Sequence, residues 1–145
     1  MKLSTKGRYG TRAILEIAKE HGVRPVKRKD IVSAQRVPDS YIENILVSLK
    51  AAGIVQTIRG AHGGYQLTRS PELITILDVV EALEGSLVPV NCLEDDHPGC
   101  AMESGCPTRE VWMEMYQAMR NVLRKYTLKD LLERQRGAMP LEYSI

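Results

Sequence analysis

RVPDSYIENILVSLKAAGIVQTIRGAHGGYQL, residues 36–67, is the stretch on which the fold turns. Arg36-Val37-Pro38 is a tight break, because proline fixes its own φ and pushes the preceding residue out of the helical region. Asp39 is a good N-cap for a helix that runs to about Ala52 and is stopped by Gly53. Past Gly53 the period changes. Ile54–Ile58 and Tyr65–Thr68 are β-prone runs, and Arg59-Gly60-Ala61-His62-Gly63-Gly64 between them is a flexible loop, so this part reads as a β-hairpin. At 100° per residue, Ile42, Ile45, Leu46 and Leu49 fall on one helix face, the side to be buried. Ser40, Glu43, Asn44 and Val47 fall on the opposite stripe.

Working backwards, Thr5–Glu20 reads as a helix with Tyr9, Ala13, Ile14, Ile17 and Ala18 at helical spacing, ended by Gly22 and Pro25. A shorter helix is expected from about Lys27 to Gln35, with Ile31, Val32 and Ala34 as its apolar positions. Helix, helix, sharp turn, helix and hairpin is the order of a winged helix-turn-helix, a motif that places its second helix in the major groove of DNA. The exposed stripe fits that use. Asparagine can pair bidentately with adenine, serine with several base edges, and a carboxylate can accept from the cytosine amino group. Glu43 repels phosphates, so it suits rejecting sequences better than adding affinity. Arg59, at the mouth of the hairpin loop, can lay a guanidinium into a narrow minor groove. A solvated face without a task is the competing reading of the same stripe, and His62 reads as a solvated loop histidine.

Working forwards, Pro71-Glu72-Leu73 leads into a helix over roughly Ile76–Glu84, ended by Gly85. Residues 86–107 follow as an irregular loop holding all three cysteines, Cys92, Cys100 and Cys106, together with Glu94-Asp95-Asp96 and several prolines and glycines. An odd number of cysteines argues against a disulfide framework, and a loop is not where buried structural cysteines sit. Zinc usually takes paired ligands at short spacing, which this loop lacks. Three thiolates at longer, irregular spacing suit an iron–sulfur cluster with a weaker fourth ligand. His97 is the histidine available inside the loop for that place, with Asp95, Asp96, Glu103 and a residue of a partner subunit as competitors. Redox-active free thiols are the other reading.

Thr108 can cap a long helix to about Tyr126. Trp112, Met115, Met119, Val122 and Tyr126 step along it, with Val111, Tyr116 and Leu123 beside them. That stripe is more than a lone helix leaves in water, so two such helices are expected to pair across a two-fold axis. A short last helix from Thr127 to about Arg136 completes residues 108–137, and 138–145 reads as a flexible tail. The expected fold is therefore mostly α with a small β-hairpin, a winged helix-turn-helix over residues 1–85 joined to a long dimerisation helix.

Composition agrees with that division. The formal net charge of +2 hides 13 Lys/Arg against 5 Asp/Glu in residues 1–70, and 7 against 13 in residues 71–145. A basic half joined to an acidic half points to a polyanion-binding module plus a part with another task. The longest apolar run, Leu73–Leu83, is broken by Asp78 and Glu81, so no membrane span is expected. The basic N-terminus has no apolar stretch behind it and reads as no signal peptide. A cytoplasmic protein is expected. Three histidines, with no Cys/His/acid constellation, argue against an enzyme.

Several segments carry a resemblance. Met1–Gly10, Tyr41-Ile42-Glu43, Leu49–Val55, Ile58–Leu67, Ile76–Gly85 and the three-cysteine loop together resemble the Rrf-two family, the IscR/NsrR type of bacterial winged-helix regulators, over essentially the whole chain. The resemblance implies a cytoplasmic homodimer that binds a 2Fe-2S cluster through Cys92, Cys100 and Cys106. It implies contacts to double-stranded DNA from Ser40, Glu43 and Asn44 in the major groove and from Arg59 in the minor groove. Within the family the likeness is nearest to the IscR branch, which regulates iron–sulfur cluster assembly genes. There a glutamate matched by Glu43 acts as the switch that tells operator classes apart. The function implied is a transcription regulator, repressor or activator, sensing cluster status. The alternative is a cluster-free thiol- or redox-responsive repressor, or one of cysteine metabolism, within the same family. Three positions depart from the pattern. Arg109 stands where the IscR branch usually has a histidine, Arg8 where the nitric-oxide sensors have an acidic residue, and Pro38 in place of a small polar residue.

Overall fold

The first helix starts where a serine can cap it. Ser4 accepts from the Gly7 N–H at 3.0 Å, and α1 runs Thr5–Lys19. Ser4 also donates through its backbone N–H and its hydroxyl to Glu84 Oε1, at 3.0 and 2.7 Å, which ties the chain's start to a later helix. That helix, α4 (Ile76–Glu84), opens with a reciprocal cap between Thr75 and Asp78. It crosses α1 so closely that a Cβ at Gly7 or Gly10 would collide with Glu84 or Leu83. The computed structural model describes residues 2–138.

Between these two helices lie α2 (Arg28–Gln35), α3 (Asp39–Ala51), β1 (Val55–Ile58) and β2 (Gly64–Leu67). Arg36 makes the turn from α2 to α3 in the left-handed region, at φ 54°, an uncommon place for a residue with a side chain. Gly53, at φ 71°, ends α3 as expected. The strands pair antiparallel from Val55↔Leu67 to Ile58↔Gly64. The hairpin is also fastened at its side, because Val26 and Tyr65 exchange two backbone hydrogen bonds of 2.8 Å. Gly64 is required at that junction, since a Cβ there would meet the Val26 carbonyl.

The core is aliphatic. Ala13, Ile14 and Ile17 of α1, Ile31 of α2, Ile42, Ile45, Leu46 and Leu49 of α3, Val55 and Leu67 of the hairpin, and Val79, Val80 and Leu83 of α4 are all buried together. After the loop come α5 (Arg109–Lys125) and α6 (Leu128–Ala138). The chain returns to the core through a bridge between Thr75 and Thr127, with Leu128 N–H donating to the Ile74 carbonyl at 3.0 Å. Leu128 and Leu132 of α6 then close the core. Arg120 of α5 pairs with Glu81 of α4 and donates to the Tyr116 hydroxyl at 3.0 Å. Among the described residues, six α-helices and one two-stranded hairpin make the mostly-α winged fold that was expected.

Four local expectations need correction. Asp39 is the first residue of α3 and not its cap, because Pro38 takes the cap position and the Asp39 carboxylate turns to Arg28. Ala34 is exposed, and Gln35 is buried in its place, its amide donating to Glu16 Oε1 at 2.9 Å. Thr108 holds the cap position of α5 without capping it, since its hydroxyl goes to a thiol. The last helix continues to Ala138, past the expected start of the tail, and residues 139–145 lie outside those described.

Candidate nucleic-acid interface and cysteine loop

The stripe of α3 opposite the core is open. Ser40, Glu43, Asn44 and Val47 are all exposed, while Ile42, Ile45, Leu46 and Leu49 beneath them are buried. The helix is rigidly backed: Tyr41 packs edge-on against Tyr9 of α1 at 6.1 Å between ring centroids, with the guanidinium groups of Arg8 and Arg12 over the Tyr9 ring. Lys6 reaches across to donate to the Ser48 hydroxyl at 2.7 Å. Arg59 stands exposed at the end of β1, and His62 is exposed in the same loop. Tight backbone at the loop's far end fixes where that arginine starts from, because a Cβ at Gly63 would strike the Ile58 carbonyl.

Glu43 is not free. Arg28, the first residue of α2, donates from Nε to Asp39 Oδ1 at 2.9 Å and places Nη1 3.0 Å from Glu43 Oε1. Asp39 and Glu43 are four residues apart on one helix face, so one guanidinium spans both. The two carboxylates, Asp39 first, raise the pKa of Arg28. The sequence reading missed Arg28, although Lys27-Arg28-Lys29 at the start of a helix is a signal. Cations at a helix N-terminus oppose the helix dipole and need another reason to be there.

Residues 86–108 are irregular apart from two short 3-10 turns, Asn91–Leu93 and Glu103–Gly105. Cys100 is exposed and Cys92 and Cys106 are half-buried. The structure does not bring the three expected ligands together: among the described residues no group of three or more His, Cys, Asp or Glu is placed to hold a metal ion. His97 does not turn to the thiols either, its Nδ1 accepting instead from the Gly99 N–H at 3.2 Å. Arg109, a cation that cannot serve as a neutral ligand, donates to the Cys92 carbonyl at 3.3 Å and pairs with Glu103 at 3.3 Å. The loop supplies three thiolates of the kind a 2Fe-2S cluster takes but would have to rearrange to bring them to one centre. It singles out one thiol. Cys106 Sγ shares a hydrogen bond of 3.4 Å with the Thr108 hydroxyl. That contact, then the Thr108 and Arg109 backbone and the Arg109 charge, hold its pKa below the ordinary thiol value against the opposing effect of burial.

No side chain on α5 is buried, and Val111, Met113, Met115 and Val122 are exposed apolar groups along it. Leu3, Val80, Leu87, Val88, Met119 and Leu123 line a largely apolar hollow between the chain's start, α4 and α5. Among the described residues no helix is long and apolar enough to cross a membrane.

A recognition-type helix backed by an aliphatic core, with a hairpin wing beside it, is the architecture of a winged helix-turn-helix protein. Comparison with known proteins places it further. Residues 3–134 match the model of Rrf2, described as an iron-dependent transcriptional regulator, and the chain belongs to that family. It is 41% identical over 131 residues to the HTH-type transcriptional regulator CymR of Bacillus subtilis, covering 90% of this chain and 89% of the relative. Protein rrf2 of Nitratidesulfovibrio vulgaris is 42% identical over 132 residues, covering 91% and 87%. Among solved structures, CymR of B. subtilis, described as the global cysteine regulator, superposes with a TM-score of 0.76 at 40% identity, covering 92% of this chain and 98% of that one. IscR of T. potens superposes with a TM-score of 0.78 at 34% identity, covering 99% and 95%. The family expectation therefore holds, and with it DNA binding. Its finer placement beside IscR is not established by these likenesses, CymR sharing more of the sequence and T. potens IscR more of the chain.

Proposed function

We propose that this chain is a homodimeric transcription regulator whose grip on operator DNA answers to the state of the thiols in residues 86–107. Ser40, Glu43 and Asn44 meet base edges in the major groove, and Arg59 enters the minor groove. The exposed apolar stripe of α5 pairs with its copy in a second subunit. The observation that carries the sensing role is the loop itself: three free thiols, Cys100 exposed and Cys92 and Cys106 half-buried, of which Cys106 bonds the Thr108 hydroxyl and has its pKa pushed down there. A thiol with a lowered pKa holds more thiolate near neutral pH, and thiolate is the form that oxidants and disulfides modify. This favours a cluster-free, thiol-responsive regulator, of cysteine supply if the description of CymR extends to this chain.

A second reading has its own support. All three cysteines of the chain lie in one loop, and the likeness to T. potens IscR covers 99% of it. In that reading Cys92, Cys100 and Cys106 would hold a 2Fe-2S cluster, and the loop would have to rearrange to do so. One experiment separates the two. Protein purified without oxygen is incubated with iron and sulfide and its visible spectrum recorded, in parallel with a thiol count. The thiol-responsive reading expects no charge-transfer bands and three reactive thiols that, once modified, alter the affinity for a DNA fragment. Stable visible bands lost in Cys92→Ala would overturn it in favour of the cluster.

A further inference from the structure

The proposed reader contains a second, unassigned element: a cation that controls its own carboxylate. Glu43 lies on the stripe offered to DNA, where a carboxylate is repelled by phosphates unless a cytosine amino group or a cation meets it. The structure supplies the cation from within the chain. Arg28 lies 3.0 Å from Glu43 and bonds Asp39 at 2.9 Å, so one guanidinium holds Asp39 with Nε and Glu43 with Nη1. The anchor has a fixed base. Two residues earlier, Val26 is bonded at both its N–H and its carbonyl to Tyr65 of the wing, each at 2.8 Å, so the start of α2 is held beside the hairpin. The start of a helix is a poor place for a cation, and Arg28 contributes no cap there. Its position is explained by what it reaches.

We propose that Arg28 is a specificity-determining residue of the DNA reader, holding the Glu43 carboxylate against the start of α2 and so limiting how often Glu43 tests a base. The inference rests on the reading that the exposed stripe of α3 meets DNA. An exposed ion pair is weak, so Glu43 exchanges between the held position and an extended one. In the held position the charge is neutralised and the helix tolerates any base at that step. In the extended position the carboxylate accepts from cytosine and rejects the other bases. Arg28 sets the ratio of the two, and the protein's selectivity at that base pair follows the ratio.

The test uses the full-length protein and a randomised DNA duplex from which binding sequences are selected. Four forms are compared: wild type, Arg28→Met, Glu43→Gln and the double variant. Methionine keeps the length of the side chain and its helix propensity, and thermal melts check that each form folds. The base pair read by residue 43 is the one whose preference changes in Glu43→Gln. At that pair Arg28→Met is expected to favour cytosine about two- to fivefold more strongly than wild type does, the most that releasing an exposed ion pair can supply. The double variant is expected to lose this gain and match Glu43→Gln. Arg28→Lys, which keeps the charge without the planar fork, should fall between wild type and Arg28→Met. If Arg28→Met weakens binding equally on all selected sequences, and does so whether residue 43 is Glu or Gln, Arg28 is a phosphate contact and the proposal is overturned. If wild type selects a sequence whose base preferences are unchanged in Glu43→Gln, the reading of α3 fails at that residue and the proposal falls with it.

Discussion

The two halves of the molecule are finished to different degrees. Up to Leu83 the chain buries an aliphatic side chain at nearly every position that periodicity assigns to the core; beyond it, Leu128 and Leu132 are the buried apolar residues described. The 17-residue helix α5 buries none, and it leaves Val111 and Val122 more than half exposed. A protein seldom leaves such a stripe in water. The core of the winged half is closed within one chain, whereas α5 leaves an apolar stripe open, the face proposed to meet a second subunit, and the loop before it carries the thiols proposed to sense a chemical signal.

The contrast can be broken most forcefully at its first term. Leu46→Ala, at a fully buried position, is expected to cost about 2–5 kcal/mol of stability in urea unfolding. A loss no larger than that of a surface substitution would mean the reader is not self-supporting. The second term is tested by Val122→Asp on the exposed stripe of α5. It should leave the circular dichroism of the chain intact while sedimentation shows monomers in place of dimers; an unchanged dimer would move the pairing surface elsewhere.

Smaller effects sharpen the picture. Arg59→Ala should weaken operator binding by about 1–3 kcal/mol, chiefly where the flanks are A·T-rich, because a narrow minor groove is what a wing arginine reads. Equal loss on every sequence would demote Arg59 to a phosphate contact. At the start of α6, Asp130 accepts from the Thr127 backbone N–H at 2.8 Å and from the Thr127 hydroxyl at 2.9 Å, and these bonds hold its pKa below the ordinary carboxylate value. A depressed carboxylate adds stability that is present above its unfolded pKa and lost as pH falls through the folded one. Thermal melts from about pH 5 down to about pH 3 should therefore show wild type losing more than Asp130→Asn, the two curves converging at the acid end. Cys106 should be the mildest case. Mass-resolved alkylation should give it a lower pH midpoint than a free thiol in a short peptide, and Thr108→Val should raise that midpoint without unfolding the chain. A midpoint at the free-thiol value would remove Cys106 from the sensing role.

The order of elements was legible because it depends on signals within a few residues of each other. Ile42, Ile45, Leu46 and Leu49 announce a buried face, Gly53 announces a stop, and the glycines of residues 60–64 announce a hairpin loop. What escaped was set by pairs distant in sequence. Nothing near Val26 says that it will bond to Tyr65, and the cations at 27–29 signal only that Arg28 has a task, not that Asp39 and Glu43 across the turn at Arg36 are its partners. The same holds for the two missed caps, where a competing partner claimed the polar side chain: Arg28 for Asp39, Cys106 for Thr108. At the loop, cysteine spacing gives the candidates but not their convergence, which depends on how 86–108 pack against α4 and α5. Arg109, bonded to the Cys92 carbonyl and paired with Glu103, ties two distant points of that loop to the start of α5.

The dependence of the reader on the loop is tested most directly by one titration. A duplex selected by the wild-type protein is titrated with reduced protein and with protein whose thiols have been modified, alongside a form carrying Ala at Cys92, Cys100 and Cys106. Control by the thiols predicts that modification shifts the wild-type dissociation constant by about tenfold or more and leaves the alanine form unmoved. Identical curves for reduced and modified wild type would contradict it.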